Sequence, residues 1–214
     1  MNDVRKFYET FDFGSMLSGP PAAIAECVEQ EDGMIRSRSG SFGDTLEVGC
    51  GDGRILEMLH GASRIVGIDF SRLALRKARE RLRGRAVETY LMRADALRFP
   101  DESFDTVLCL NHTMSNMPGI ERDVLREMFR VCRLGGRILV SVYSERARSA
   151  QVANYARLGL AIRKETGNEV YLEAGLYSRR FTYRELTQLF QSASFSRYEI
   201  VSPTPIGYLV TAIR

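Results

Sequence analysis

A chain of 214 residues has the length of one domain able to bury its own core. Its 44% hydrophobic and 27% charged content excludes a disordered or fibrous chain. The net charge of +3 is too mild to argue for nucleic acid by itself.

The start, Met1-Asn2-Asp3-Val4-Arg5-Lys6, is polar and lacks the apolar run of a signal peptide. No apolar stretch reaches the length of a membrane span, so the expectation is a cytoplasmic protein without a membrane partner. Cys27, Cys50, Cys109 and Cys132 are scattered, with no C-x-x-C and no histidine at ligand spacing. They read as buried free thiols, and no metal site is expected.

In chain order, residues 1–40 read as a helical lead-in. Val4 to Phe13 is aromatic-rich, Ser18-Gly19-Pro20-Pro21 is a turn, and Ala22 to Val28 is a helix opening just after proline. Gly33 to Gly43 reads as a loop. Strands then alternate with helices, which implies parallel pairing in a doubly wound sheet. Strands are expected at about 45–49, 64–69, 87–92 and 104–110, with helices at about 53–60 and 72–83. Ile120, Val124, Leu125, Met128, Phe129 and Cys132 give the next helix one apolar face, and Leu134-Gly135-Gly136 stops it. A fifth strand follows at 137–143.

Residues 144–180 break the alternation and read as an insertion. It should hold a helix over about 147–164, the turn Thr166-Gly167-Asn168, and a strand pair through 170–172 and 176–177. Thr182, with Glu185 three residues on, is a capping box opening a helix whose apolar face is Leu186, Leu189 and Phe190. Segments 198–201 and 208–213 are separated by a turn too short for a crossover, so they pair antiparallel. The fold class is thus α/β: a Rossmann-like, doubly wound, seven-stranded sheet, mostly parallel, with an antiparallel C-terminal strand.

The most informative stretch is Thr45-Leu46-Glu47-Val48-Gly49-Cys50-Gly51-Asp52-Gly53-Arg54, a strand running into a glycine-alternating turn and a helix. Glycines there let backbone N–H groups approach a ligand. The second strand, Ile65-Val66-Gly67-Ile68, ends in Asp69. A carboxylate at that strand tip can accept hydrogen bonds from two ribose hydroxyls, which points to a nucleoside-bearing cofactor.

The stretch 46–53 resembles motif I of the class I S-adenosylmethionine-dependent methyltransferases. Further segments fall in that family's order. Val66-Gly67-Ile68-Asp69-Phe70-Ser71 resembles its ribose-binding strand end, and Ala94-Asp95-Ala96 with 99–105 resembles its adenine loop. Leu134-Gly135-Gly136-Arg137-Ile138-Leu139 resembles its turn into strand five. Several motifs in order are specific where one would not be. A nicotinamide-dependent dehydrogenase fits less well. Arg54 stands where G-x-G-x-x-G needs its third glycine, and Glu47 suits an ammonium group better than a pyrophosphate.

The resemblance implies S-adenosyl-L-methionine as cofactor. Glu47, Gly49, Cys50, Gly51 and Gly53 would form the floor under its methionine part, Asp69 would hold the ribose, and Phe70 would pack on the adenine. Asp95 and the Ala96 N–H would meet the adenine amino group, and Asn111 would line the methyl region. His112 is the histidine nearest the expected chemistry and a candidate base, with packing as the alternative. Tyr8 is the lead-in residue chosen to reach the methionine end. Phe7, Tyr8, Phe11 and Phe13, with Tyr155, Tyr171 and Tyr177 of the insertion, are expected to form an aromatic lid over a small acceptor.

The basic run from Arg72 to Arg85 reads as a solvated helix face. Arg146, Arg148, Arg157, Arg163 and Lys164 of the insertion would suit an acidic substrate. The leading expectation is methyl transfer to an N or O atom of a small molecule. RNA or protein methylation, and a non-catalytic cofactor-binding module, stand as alternatives.

Overall fold

The computed structural model describes residues 2–11, 13–38 and 40–214, with the side chains of residues 2–5 and Phe13 outside the description. Five strands run parallel: β1 (Asp44–Val48), β2 (Arg64–Asp69), β3 (Val87–Leu91), β4 (Phe104–Cys109) and β5 (Cys132–Tyr143). The closing hairpin, β9 (Arg197–Thr204) and β10 (Gly207–Ile213), completes a seven-stranded sheet of order β3-β2-β1-β4-β5-β10-β9. β10 lies antiparallel to both of its neighbours. Three antiparallel strands, β6 (Ile162–Thr166), β7 (Glu169–Leu172) and β8 (Tyr177–Arg179), form a separate small sheet within the insertion.

Strand residues alternate between two cores, as the pleat requires. Leu46, Val66, Val107 and Ile138 face α5 (Glu121–Val131) and α7 (Tyr183–Ser192). Ile65, Leu108 and Leu139 face α2 (Ala22–Ser37), α3 (Arg54–Met58) and α4 (Arg72–Arg81). Both faces are therefore covered, as parallel sheets need. The capping box forms as expected: Thr182 Oγ1 accepts from the Glu185 amide at 3.2 Å, and Glu185 Oε2 accepts from the Thr182 amide at 2.8 Å.

Three elements differ from the sequence reading. The helix expected to run to the Leu134-Gly135-Gly136 stop ends at Val131, and Cys132, expected on its apolar face, instead opens β5. α2 does not stop near Val28 but continues to Ser37, so the first part of the expected loop, residues 33–37, is helix. Its buried stripe, Ile24, Cys27, Glu31 and Ile35, keeps helical spacing to the end. One interior glycine, Gly33, costs only about 1 kcal/mol against that packing. In the insertion, α6 (Arg148–Arg157) ends near Gly159, whose φ of 68° is the left-handed conformation of a helix stop. Residues 162–164, expected in the helix, instead belong to β6, which pairs with β7.

The lead-in begins with α1 (Asn2–Thr10), followed by a 3₁₀ turn at Phe13–Leu17. Phe7 of α1 packs with Tyr155, Val170, Leu172 and Leu176 of the insertion, so lead-in and insertion share a core.

Candidate active site

A cavity of about 320 Å³ opens at the carboxyl ends of β1, β2, β4 and β5. Its floor is the turn from β1 to α3. Gly49 has φ 73°, and a Cβ there would stand 2.3 Å from Thr113 Cγ2, so nothing larger fits. Gly51 has φ 54°, and a Cβ on it would meet no protein atom within 4 Å; it borders open cavity instead. Cys50 also lines this floor.

Asp69 ends β2 and braces that turn. Its Oδ2 accepts the Gly51 amide at 3.0 Å and its Oδ1 accepts the Ser71 amide at 2.8 Å. Ser71, not Asp69, caps α4, accepting from the Ala74 amide. Burial pushes the Asp69 carboxyl up, and these backbone amides oppose the shift. Each oxygen keeps lone-pair capacity for a further donor, as two ribose hydroxyls would supply. Beside it the Tyr8 and Phe70 rings meet at 5.0 Å, both on the cavity wall.

Glu47 is 3% exposed, and its Oε2 has no hydrogen-bond partner. Burial drives its carboxyl well above the usual range, with Arg54 as the opposing cation. An orphaned acceptor on a cavity wall fits a cationic ligand group such as an ammonium. The residues present thus fit S-adenosylmethionine: Glu47 toward the amino group, Asp69 toward the ribose.

Just past the end of β4 stand Asn111 and His112, both left-handed at φ 53° and 55°. Asn111 lines the cavity, and its Oδ1 accepts from Arg54 at 2.7 Å. His112 is buried and does not line the cavity. Its ring stacks on Tyr143 with centroids 3.9 Å apart, and burial pushes it down to about 4. This placement favours packing over direct proton transfer.

The remaining expected residues lie off the wall. Gly53 heads α3, where a Cβ would press on Ala78 and Leu82. Asp95 is held at both oxygens by Arg93, at 2.9 and 2.5 Å, and Ala96 is exposed. Met92 and Ala94 line the cavity on that side instead. Tyr171 and Tyr177 turn to Glu169 and contribute nothing to the wall, whereas Tyr155 does. The side chain of Phe13 lies outside the described residues.

Sequence reasoning missed Thr113 and Met117 after β4, Tyr143 at the end of β5, Ser178 of β8, and Met16, Leu17 and Ile24 of the lead-in. For Tyr143 the signal was available, since the strand-end rule that found Asp69 applies equally to β5. The 3₁₀ turn that carries Met16 and Leu17 is fixed by Arg157, which donates to the carbonyls of Ser15, Met16 and Ser18 at 2.9–3.3 Å.

The family model described as a methyltransferase domain matches residues 45–136. A phosphatidylethanolamine N-methyltransferase of Cereibacter sphaeroides is 37% identical over 134 residues, which are 61% of this chain and 60% of that protein. A ubiquinone/menaquinone biosynthesis C-methyltransferase of Cronobacter sakazakii is 30% identical over 62% of this chain and 54% of its own length. The chain thus spans little more than half the length of these relatives. In fold it is similar to the PH0226 protein of Pyrococcus horikoshii, with a TM-score of 0.69 at 21% identity, covering 87% of this chain and 89% of that one. It is also similar in fold to a Burkholderia thailandensis 1,6-didemethyltoxoflavin-N1-methyltransferase, at TM-score 0.60 and 20% identity over 90% and 78% of the two chains. The sheet order and the glycine turn thus agree with the methyltransferase domain that the family model matches over residues 45–136, and the chain as a whole shares the fold of these solved structures.

Proposed function

We propose that the protein transfers a methyl group from S-adenosylmethionine to an N or O atom of a small-molecule acceptor. One observation carries this reading: the cavity lined by Glu47 and Asp69 is also walled by the lead-in and the insertion. Met16, Leu17 and Ile24 of the lead-in line it together with Tyr143, Asn154, Tyr155 and Ser178. Apolar walls with a few polar tips suit a small acceptor.

The cofactor supplies an electrophilic methyl on a sulfonium. The chain supplies position: Glu47, Asp69 and the glycine turn fix one partner, and the lead-in and insertion hold the other and exclude water. Proximity and orientation are worth up to ~7–11 kcal/mol, so an attacking atom that carries a free lone pair needs no dedicated base. Buried carboxylates around the cavity favour the cationic cofactor over its neutral product.

The charge of the wall narrows the acceptor. Arg148 is spent on Glu165, Arg157 on main-chain carbonyls, and Arg180 on Glu165 and Gln151. The cations that do border the cavity, Arg54 and Arg81, are paired with Asp32 and Asp52. This supports a neutral or amine-bearing acceptor rather than the acidic one suggested by the basic insertion.

The test is incubation with methyl-labelled S-adenosylmethionine and fractionated cell extract. Label is expected in the small-molecule fraction. Label confined to protein or RNA would overturn the acceptor class, and no transfer to any fraction would favour a non-catalytic binding module.

A further inference from the structure

Helix α2 carries an anomaly: its buried stripe of Ile24, Cys27, Glu31 and Ile35 contains a carboxylate. Glu31 is 5% exposed, where an ionised group persists only with hydrogen-bond partners. Its Oε2 accepts the Asn111 amide at 2.8 Å. The next amide along, that of His112, donates to the Ser141 hydroxyl oxygen at 3.1 Å. Ser141 also stands beside the Glu31 carboxyl and opposes the upward push of burial on it. Glu31 and Ser141, side by side, thus take two successive amides, at two residues held left-handed although neither is glycine. The neighbouring Asp32 reinforces this through Arg54, which bridges to Asn111 Oδ1.

The turn held in this way is part of the candidate site. Asn111 lines the cavity, and Thr113 follows it with Cγ2 against the face of Gly49. A shift of the turn would therefore be felt on the floor of the cofactor site.

We infer that Glu31 is a positioning residue for cofactor binding, fixing the Asn111–His112 turn from a helix that lies outside the matched 45–136 domain. The inference rests on the cofactor reading above. The test compares the wild type with Glu31→Ala, Glu31→Gln and Ser141→Ala, measuring S-adenosylhomocysteine affinity by calorimetry and Asn111 amide hydrogen exchange. Glu31→Ala should weaken binding about tenfold or more, keep a cooperative melt, and expose the Asn111 amide to exchange. Glu31→Gln keeps an oxygen for that amide and should stay within about threefold of the wild type, since the loss follows turn geometry. Wild-type affinity in a folded Glu31→Ala protein would overturn the inference, as would equal losses in the Ala and Gln variants. Should Glu31→Ala fail to fold, wild-type affinity in Ser141→Ala overturns it instead. A folded wild type with no affinity for S-adenosylhomocysteine would instead sink the cofactor reading.

Discussion

At the scale of single residues, Asp69 serves both the ligand and the loop. Its carboxylate closes the Gly51 and Ser71 amides and still faces the cavity. Asp69→Ala is expected to weaken S-adenosylhomocysteine binding about tenfold or more, since hydrogen bonds to a charged group are worth ~1.5–3 kcal/mol. It should also lower stability by about 1–3 kcal/mol, because two backbone donors lose their partner. Calorimetry showing unchanged affinity would leave Asp69 a loop brace only. His112 gives a second expectation. Its folded pKa of about 4 lies below the unfolded value near 6.5, so the unfolded state binds a proton first as pH falls. Stability from this residue is intact above about pH 6.5 and is lost toward pH 4, by roughly 3 kcal/mol. Denaturant titrations across that window should show the slope in the wild type and its loss in His112→Gln. The places of Glu47, Gly49, Gly51, Asp69 and Asn111 on the cavity wall were legible because strand ends and turn glycines carry their own positional logic. Which way the side chains of Asp95 and His112 turn was not legible, because rotation near a strand end is set by neighbours, such as Arg93 and Tyr143, that spacing does not reveal. Glu31 was invisible as a site residue, since its partner lies 80 positions away.

At the scale of elements, the sheet and α7 were legible from alternation and from a capping box, both local signals. The length of α2 and the strand at 162–166 were not, because burial against the sheet and pairing with β7 decide them. The lead-in illustrates what local reading gains and loses. Its aromatics divide: Tyr8 lines the cavity, while Phe7 packs into the core shared with the insertion. Deleting residues 1–14 is expected to abolish methyl transfer while leaving a core that binds S-adenosylhomocysteine weakly, since the β1–α3 turn and Asp69 remain. Full turnover by the truncated protein would place the acceptor chamber elsewhere.

At the scale of the whole molecule, ligand binding to the native state alone raises stability by RT ln(1 + [L]/Kd), about 2.7 kcal/mol at a hundredfold excess over Kd. S-adenosylmethionine and S-adenosylhomocysteine should therefore raise the melting temperature, and NAD should not. A shift with NAD alone would contradict the ammonium-binding reading of Glu47. The way the two chain segments join also bears on how the protein meets a change of salt. Arg157 holds the turn at Phe13–Leu17 through main-chain carbonyls, not through a carboxylate. Dissolved ions screen interactions between exposed charges strongly, but a cation set among oriented carbonyl dipoles loses less to them. The bond between lead-in and insertion should then weaken with temperature far more than with ionic strength. A cell whose salt content fluctuates would find the two segments joined to a nearly constant degree.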